Sequence, residues 1–158
     1  MITAKKVPLS KIYGAVVQNE SGFLREVHDG DLNTFWSVAK SDRESLTKIL
    51  IYLPRAFNLS GLVLHAGKRH WDFPRGVKVS VAKDCLSPDG FKTVFALSDW
   101  TGPIKYTKQD GLPYYGSQSH VAINFPSPEM STCVLIEQIR TRHVFDWVVA
   151  EIDLSVVN

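Results

Sequence analysis

An all-β fold, a sandwich or a barrel, is predicted for this 158-residue chain on three observations. The run Gly76-Val77-Lys78-Val79-Ser80-Val81-Ala82 alternates with a period of two, valines on one side and small or charged residues on the other. That is the pattern of a strand with one buried face. Further short runs rich in Val, Ile and Leu recur along the chain, and turn chemistry separates them. Many short strands punctuated in this way argue against a βαβ fold.

Taken in order, the first element expected is a short helix over Glu20 to Val27, with Ser21 as its cap. Strands are then predicted over Leu46 to Leu53, Leu59 to His65, Gly76 to Ala82, His120 to Phe125, Cys133 to Thr141 and Trp147 to Leu154. Turns are predicted at Leu53-Pro54-Arg55, Asn58 to Gly61, Ser87-Pro88-Asp89-Gly90, Asp110-Gly111-Leu112-Pro113 and Pro126-Ser127-Pro128, where Gly, Pro, Asn and Asp supply the corner geometry. Alternating strands put one face of each sheet into a shared core. The loops then gather at the ends of the body, where function usually sits.

Length and composition bound the rest. Residues 1–158 are expected to form a single domain, long enough to bury a core without staples. Hydrophobic residues at 44% and charged residues at 22% are ordinary for a globular chain. A formal charge of +2 with scattered basic residues gives no pull toward nucleic acid. No apolar run is long enough to span a bilayer, so no transmembrane segment is expected. Met1 to Ser10 has two lysines with no apolar core behind them, so no signal peptide is expected in this chain. Cys133 lies in the apolar run Cys133-Val134-Leu135-Ile136 and reads as a buried free thiol, with a disulfide to Cys85 left open. Two cysteines without histidines at ligand spacing do not make a zinc site.

The stretch Val27-His28-Asp29-Gly30-Asp31-Leu32-Asn33-Thr34-Phe35-Trp36 concentrates two carboxylates, a glycine and a hydroxyl before a large aromatic. Such a turn can wrap a hard cation such as calcium, which takes about six to eight oxygens. It can equally be an Asp-Gly loop capped by a buried Trp. Near the other end, Glu151 is a lone acid within Trp147 to Leu154, and a carboxylate there needs a cation, a hydrogen-bond donor or solvent. If that strand runs beside the Asp29 turn, Glu151 can add an oxygen to the same ion; otherwise it is an outward-facing edge residue.

As an ordered set, these pieces resemble the discoidin, or F5/8 type C, family, which includes the carbohydrate-binding modules of the family 32 kind. The matching residues are Asp29-Gly30-Asp31 with Thr34 and Trp36, then Ile49-Leu50-Ile51-Tyr52-Leu53, Leu62-Val63-Leu64 and Val77-Lys78-Val79-Ser80-Val81-Ala82-Lys83-Asp84. Ile139-Arg140 and Ala150-Glu151-Ile152 complete the set, which spans nearly the whole chain. The resemblance implies a galactose-binding-domain-like jelly-roll β-sandwich of two antiparallel sheets. It implies a structural calcium (Ca2+) held by the side chains of Asp29 and Glu151, by Thr34, and by the backbone carbonyls of Glu26, Asp31 and Ala150. It also implies an extracellular or cell-surface setting, with a targeting or adhesion role.

In sugar-binding relatives the site lies on loops at one end of the sandwich. A planar guanidinium engages paired hydroxyls, and an aromatic ring receives the apolar face of the sugar. The loop Lys68 to Arg75 holds this chemistry in Arg69, His70, Trp71, Asp72 and Arg75, with Phe73 beside them. Arg69 falls near the family's sugar-contacting Arg, Trp71 is the candidate stacking platform, and Phe145 is the aromatic expected at the rim. The alternative is that Trp71 and Phe73 fold back as a small apolar cluster. One departure from the family is the loop Ser37 to Glu44, which lacks the His and following aromatic of galactose-preferring relatives, so galactose specificity does not carry over.

No Gly-x-Ser-x-Gly elbow, phosphate loop or His-Glu-x-x-His is present, and an enzyme is not expected. The expected function is a non-catalytic glycan-binding module, its partners a glycan or glycoconjugate and other domains of a larger protein. The runner-up is a protein-interaction or assembly domain on the same fold. A membrane-binding variant stands third, hinted at only by Trp71 with Phe73.

Overall fold

The computed structural model describes residues 3–19, 22–38, 48–69, 73, 76–98, 100–139 and 147–158. The strands are β1 (Ala4–Pro8), β2 (Val16–Asn19), β3 (Gly22–Phe23), β4 (Trp36–Val38), β5 (Lys48–His65) and β6 (Val77–Ala82). They continue with β7 (Lys92–Leu97), β8 (Ile104–Gln109), β9 (Leu112–Ser117), β10 (His120–Gln138), β11 (Trp147–Val149) and β12 (Glu151–Val157). Three single-turn 3-10 segments, Leu9–Lys11, Arg25–Val27 and Pro88–Gly90, are the only helical pieces among the described residues. No helix there is long and apolar enough to cross a membrane.

Two long strands organise the body. The first half of β5 pairs with β2 and with the second half of β10, which continues through β6 to β7. The second half of β5 pairs with the first half of β10 and with β12, which carries β1 at the edge. All these pairings are antiparallel, and β5 and β10 pass from one layer of the sandwich into the other. Val17, Ile49, Ile51, Val79 and Ile136 come from one layer and Leu62, Ile123, Ile152 and Leu154 from the other; all are buried in one core cluster. The predicted two-sheet sandwich is therefore the observed one. A short ribbon of β4 and β11 stacks Trp36 edge-on against Trp147, ring centroids 5.1 Å apart.

Several predicted elements need correction. The turns expected at Leu53-Pro54-Arg55 and Asn58 to Gly61 lie inside β5, and Pro126-Ser127-Pro128 lies inside β10. The register explains why. From Tyr52 to Phe57, β5 uses five steps where β10 uses two, Cys133 to Ser131. From Leu59 to Gly61, β5 uses two where β10 uses five, Glu129 to Asn124. The prolines sit in these looped-out stretches, where no ladder N–H is needed and the strand can bend. Their turn chemistry is real, but it bends a strand instead of ending it.

The helix expected over 20–27 is replaced by β3 and the 3-10 turn Arg25–Val27, which has no side-chain cap. Gly22 adopts φ +131°, which no helix contains; Glu20 and Ser21 lie outside the described residues. The strand expected over 147–154 is two strands broken at Ala150, with β11 in the small ribbon and β12 in the main body. The Asp110-Gly111 turn stands as predicted, both residues at positive φ between β8 and β9, although Leu112 and Pro113 belong to β9. Both cysteines are free thiols. Burial and the neighbouring Cys85 push the Cys133 thiol well above its ordinary range.

Candidate functional site

The break at Ala150 defines one pole of the sandwich. Ala150 N–H donates to the carbonyl of His65 at 2.6 Å, so the first residue of β12, Glu151, lies opposite the last residue of β5. Two loops meet there. Gly67 has φ +60°, and a Cβ on it would stand 2.7 Å from the carbonyl oxygen of Leu32. Only glycine lets the loop after β5 lie this close to the acidic corner.

That corner is an ordered set of turns. The Asp29 carboxylate accepts from the Asp31 N–H at 2.9 Å and from the Thr34 hydroxyl at 2.5 Å. The Asp31 carboxylate accepts from the Asn33 N–H and side-chain amide at 2.8 and 3.0 Å, and the Asp31 carbonyl accepts from the Thr34 hydroxyl at 3.0 Å. Glu151, 5% exposed, accepts from the Gly30 N–H at 2.5 Å and lies in hydrogen-bond contact with Asp29. The chain thus brings together the two acids that sequence alone placed 122 positions apart.

Two carboxylates in contact cannot both ionise cheaply. Burial raises the Glu151 pKa from its ordinary 4.5 to about 7, helped by the hydrogen bond to Asp29 and its charge, while the Gly30 and Asp31 amides pull the other way. For Asp29, burial opposes ionisation, but the Thr34 hydroxyl, the Asp31 amide and the Glu151 carboxyl outweigh it and lower the pKa. Without a cation, the pair takes up one proton on Glu151 as pH falls below about 7.

The donor chemistry fits a hard divalent ion. Glu151 is buried against Asp29 and the Gly30 and Asp31 amides, and a bound cation would take the place of the shared proton. No cluster of three or more His, Cys, Asp or Glu side chains able to hold a metal is found among the described residues. The family resemblance would supply the remaining ligands from oxygens of Thr34, Glu26, Asp31 and Ala150. The Asp31 side chain is occupied by Asn33, and its carbonyl already accepts from the Thr34 hydroxyl.

Beside this corner, the Arg69 guanidinium lies over the Phe35 ring, 5.4 Å from its centroid. Phe35 is 41% exposed, so part of its ring stays at the surface beside the guanidinium. Phe35 was part of the acidic run but received no role in the sequence, because nothing local signals a partner 34 positions away. Phe73 turns inward, 5% exposed and edge-on to Trp100 with centroids 6.0 Å apart. This removes half of the aromatic pair that hinted at membrane binding. His70, Trp71, Asp72, Arg75 and Phe145 lie outside the described residues.

Solved structures with this arrangement of strands span the whole chain. The family 32 carbohydrate-binding module of NanJ from C. perfringens, in complex with galactose, superposes with a TM-score of 0.63 at 17% identity, covering 98% of this chain and 99% of that one. The fold is that of the family 32 modules. CpGH89CBM32-5 from Clostridium perfringens, in complex with GalNAc-beta-1,3-galactose, gives 0.60 at 15% identity over 95% of this chain and 99% of its own. A chitosan-binding module from a chitosanase/glucanase of Paenibacillus sp. IK-5 gives 0.59 at 15% identity over 93% and 97%. No protein-family model and no curated protein matches the sequence. At these identities the likeness to family 32 modules establishes the architecture, and the chemistry of the pole has to be argued from its own residues.

Proposed function

We propose that this chain is a non-catalytic glycan-binding module whose ligand seats at the loop pole, against Arg69 and Phe35, on a surface ordered by calcium at the Asp29/Glu151 corner. The observation that carries this reading is the guanidinium held over a half-open ring beside that corner. A pyranose offers paired hydroxyls to such a fork and an apolar C–H face to such a ring. The ion's part is to fix the 29–34 turns, and through Gly67 and Leu32 it steadies the loop that carries Arg69. The family 32 architecture supports the reading, since the neighbours named above include modules solved with galactose-containing sugars.

Glycan-array screening followed by titration calorimetry tests it. A defined set of glycans should bind, and Arg69→Ala and Phe35→Ala should each weaken the best of them by at least tenfold, about 1.4 kcal/mol. A flat array across neutral and charged glycans, or unchanged affinity in both variants, would overturn the assignment.

A further inference from the structure

At the opposite pole lies a second feature, independent of the glycan site proposed above. Val156 of β12 pairs with Leu59 of β5, whereas Glu151 pairs with His65. Six residues of strand, roughly 20 Å, therefore separate the two ends. Here the bend of β5, the end of β12 and the start of the chain enclose an open groove of about 790 Å³. Lys5, Lys11 and Arg55 line it, and among the described lining residues there is no Asp or Glu. None of the three cations is ion-paired among the described residues, although elsewhere on the molecule Lys48, Lys78 and Lys92 all reach glutamates.

The groove also carries aromatic chemistry in fixed positions. Arg55 lies over the Phe57 ring with 4.0 Å from its guanidinium carbon to the centroid, which holds the fork in place. Tyr13, 99% exposed, stands at the crest of a turn closed by the Ala15 N–H donating to Ile12 at 3.2 Å. Gly14 follows at φ +88°, where a Cβ would press to 3.2 Å against Pro54. A type II turn requires such a residue at this position. A wholly exposed tyrosine on a glycine-locked turn is stable only through its local geometry, since it buries no area of its own.

We infer that this groove is a second ligand site, for an acidic oligosaccharide: Arg55 and the two lysines engage its carboxylates and Tyr13 stacks on a sugar face. Three exposed cations around one groove, with no carboxylate side chain among its described lining residues, favour an anionic ligand. The planar fork matches a carboxylate in bidentate fashion, and the exposed Tyr13 ring can receive the apolar face of a pyranose. A lipid surface would call for a cluster of protruding apolar side chains, and a nucleic acid for a longer basic track than three side chains.

Calorimetry with hexagalacturonate, its methyl ester and poly-glutamate of equal charge, with anionic phospholipid vesicles as a fourth arm, tests the inference. Hexagalacturonate should bind wild type with an affinity that falls as salt rises. The double variant Lys11→Ala/Arg55→Ala should lose at least tenfold and Tyr13→Ala about fivefold. Arg69→Ala should bind as wild type, which separates this site from the loop pole. Absence of hexagalacturonate binding, equal binding of the ester, poly-glutamate or vesicles, or wild-type affinity in the double variant would each overturn it. So would loss of binding in Arg69→Ala. Thermal melts of the variants confirm folding, which solvent-facing substitutions leave intact.

Discussion

Glu151 opens β12 as a buried carboxylate in contact with Asp29, and its protonation gives stability a signed dependence on pH. Its folded pKa of about 7 lies above the ordinary 4.5, so the proton is held more tightly in the folded state. The stabilisation is complete below pH 4.5 and is lost as pH rises through 7. In metal-free protein the loss amounts to about 3 kcal/mol across that window. His28 contributes with the opposite sign, because burial lowers its pKa against the pull of the Asp29 and Glu26 charges. The difference between wild type and Glu151→Gln isolates the glutamate: chelator-treated wild type should lose stability relative to the variant from pH 5 to pH 8 in urea melts. A parallel pair of curves would refute the assignment. Glu151 stood out in the sequence as an acid among apolar residues. Its pairing with Asp29 came from the family resemblance, since no local pattern links positions so far apart.

At the scale of elements, the bends of β5 and β10 hold the two layers in register. Gly61 lies just past the looped-out stretch, and a Cβ there would stand 2.4 Å from the backbone carbonyl oxygen of Ile123. A backbone atom cannot swing aside as a side chain can. Gly61→Ala should therefore destabilise the fold by about 2–3 kcal/mol, the cost of forcing an extra methyl into a packed interior. Equilibrium denaturation should show a lower midpoint at unchanged slope; a midpoint within error of wild type would show that the bend is more compliant than this contact implies. The strand runs themselves were legible from Val, Ile and Leu periodicity. Their continuity was not, because Pro54, Pro126 and Pro128 carry the same local signal whether a chain reverses or merely kinks. The two strands flanking Ala150 were fused in the sequence reading for the converse reason: the apolar run Trp147 to Leu154 has no breaker, and the change of sheet is imposed by the Ala150–His65 hydrogen bond.

For the whole molecule, the sequence pattern predicted an all-β body correctly, while β1, β2, β3, β4, β7 and the β8–β9 hairpin went unseen. These are short elements of two to six residues, over which alternation has little room to register. The calcium proposed at one pole would act on the stability of the entire body, because an ion that binds only the folded chain shifts the global equilibrium. At a hundredfold excess over its dissociation constant the gain is about 2.7 kcal/mol, which corresponds to a rise of roughly 5–10 °C in Tm for a domain of this size. EDTA should remove that rise, calcium should restore it, and Glu151→Gln should abolish the response. A Tm indifferent to both additions would remove the ion from the proposed function.

The bent pair β5 and β10 has one more consequence. Since each belongs to both layers, the sandwich has no seam along which one sheet could peel from the other with its hydrogen bonds intact. Opening either face means breaking the backbone ladder of strands that also hold the opposite face, so the two poles share a single cooperative fate. A lesion in the hinge regions would then be felt at the loop end and at the basic groove alike, although no side chain connects them.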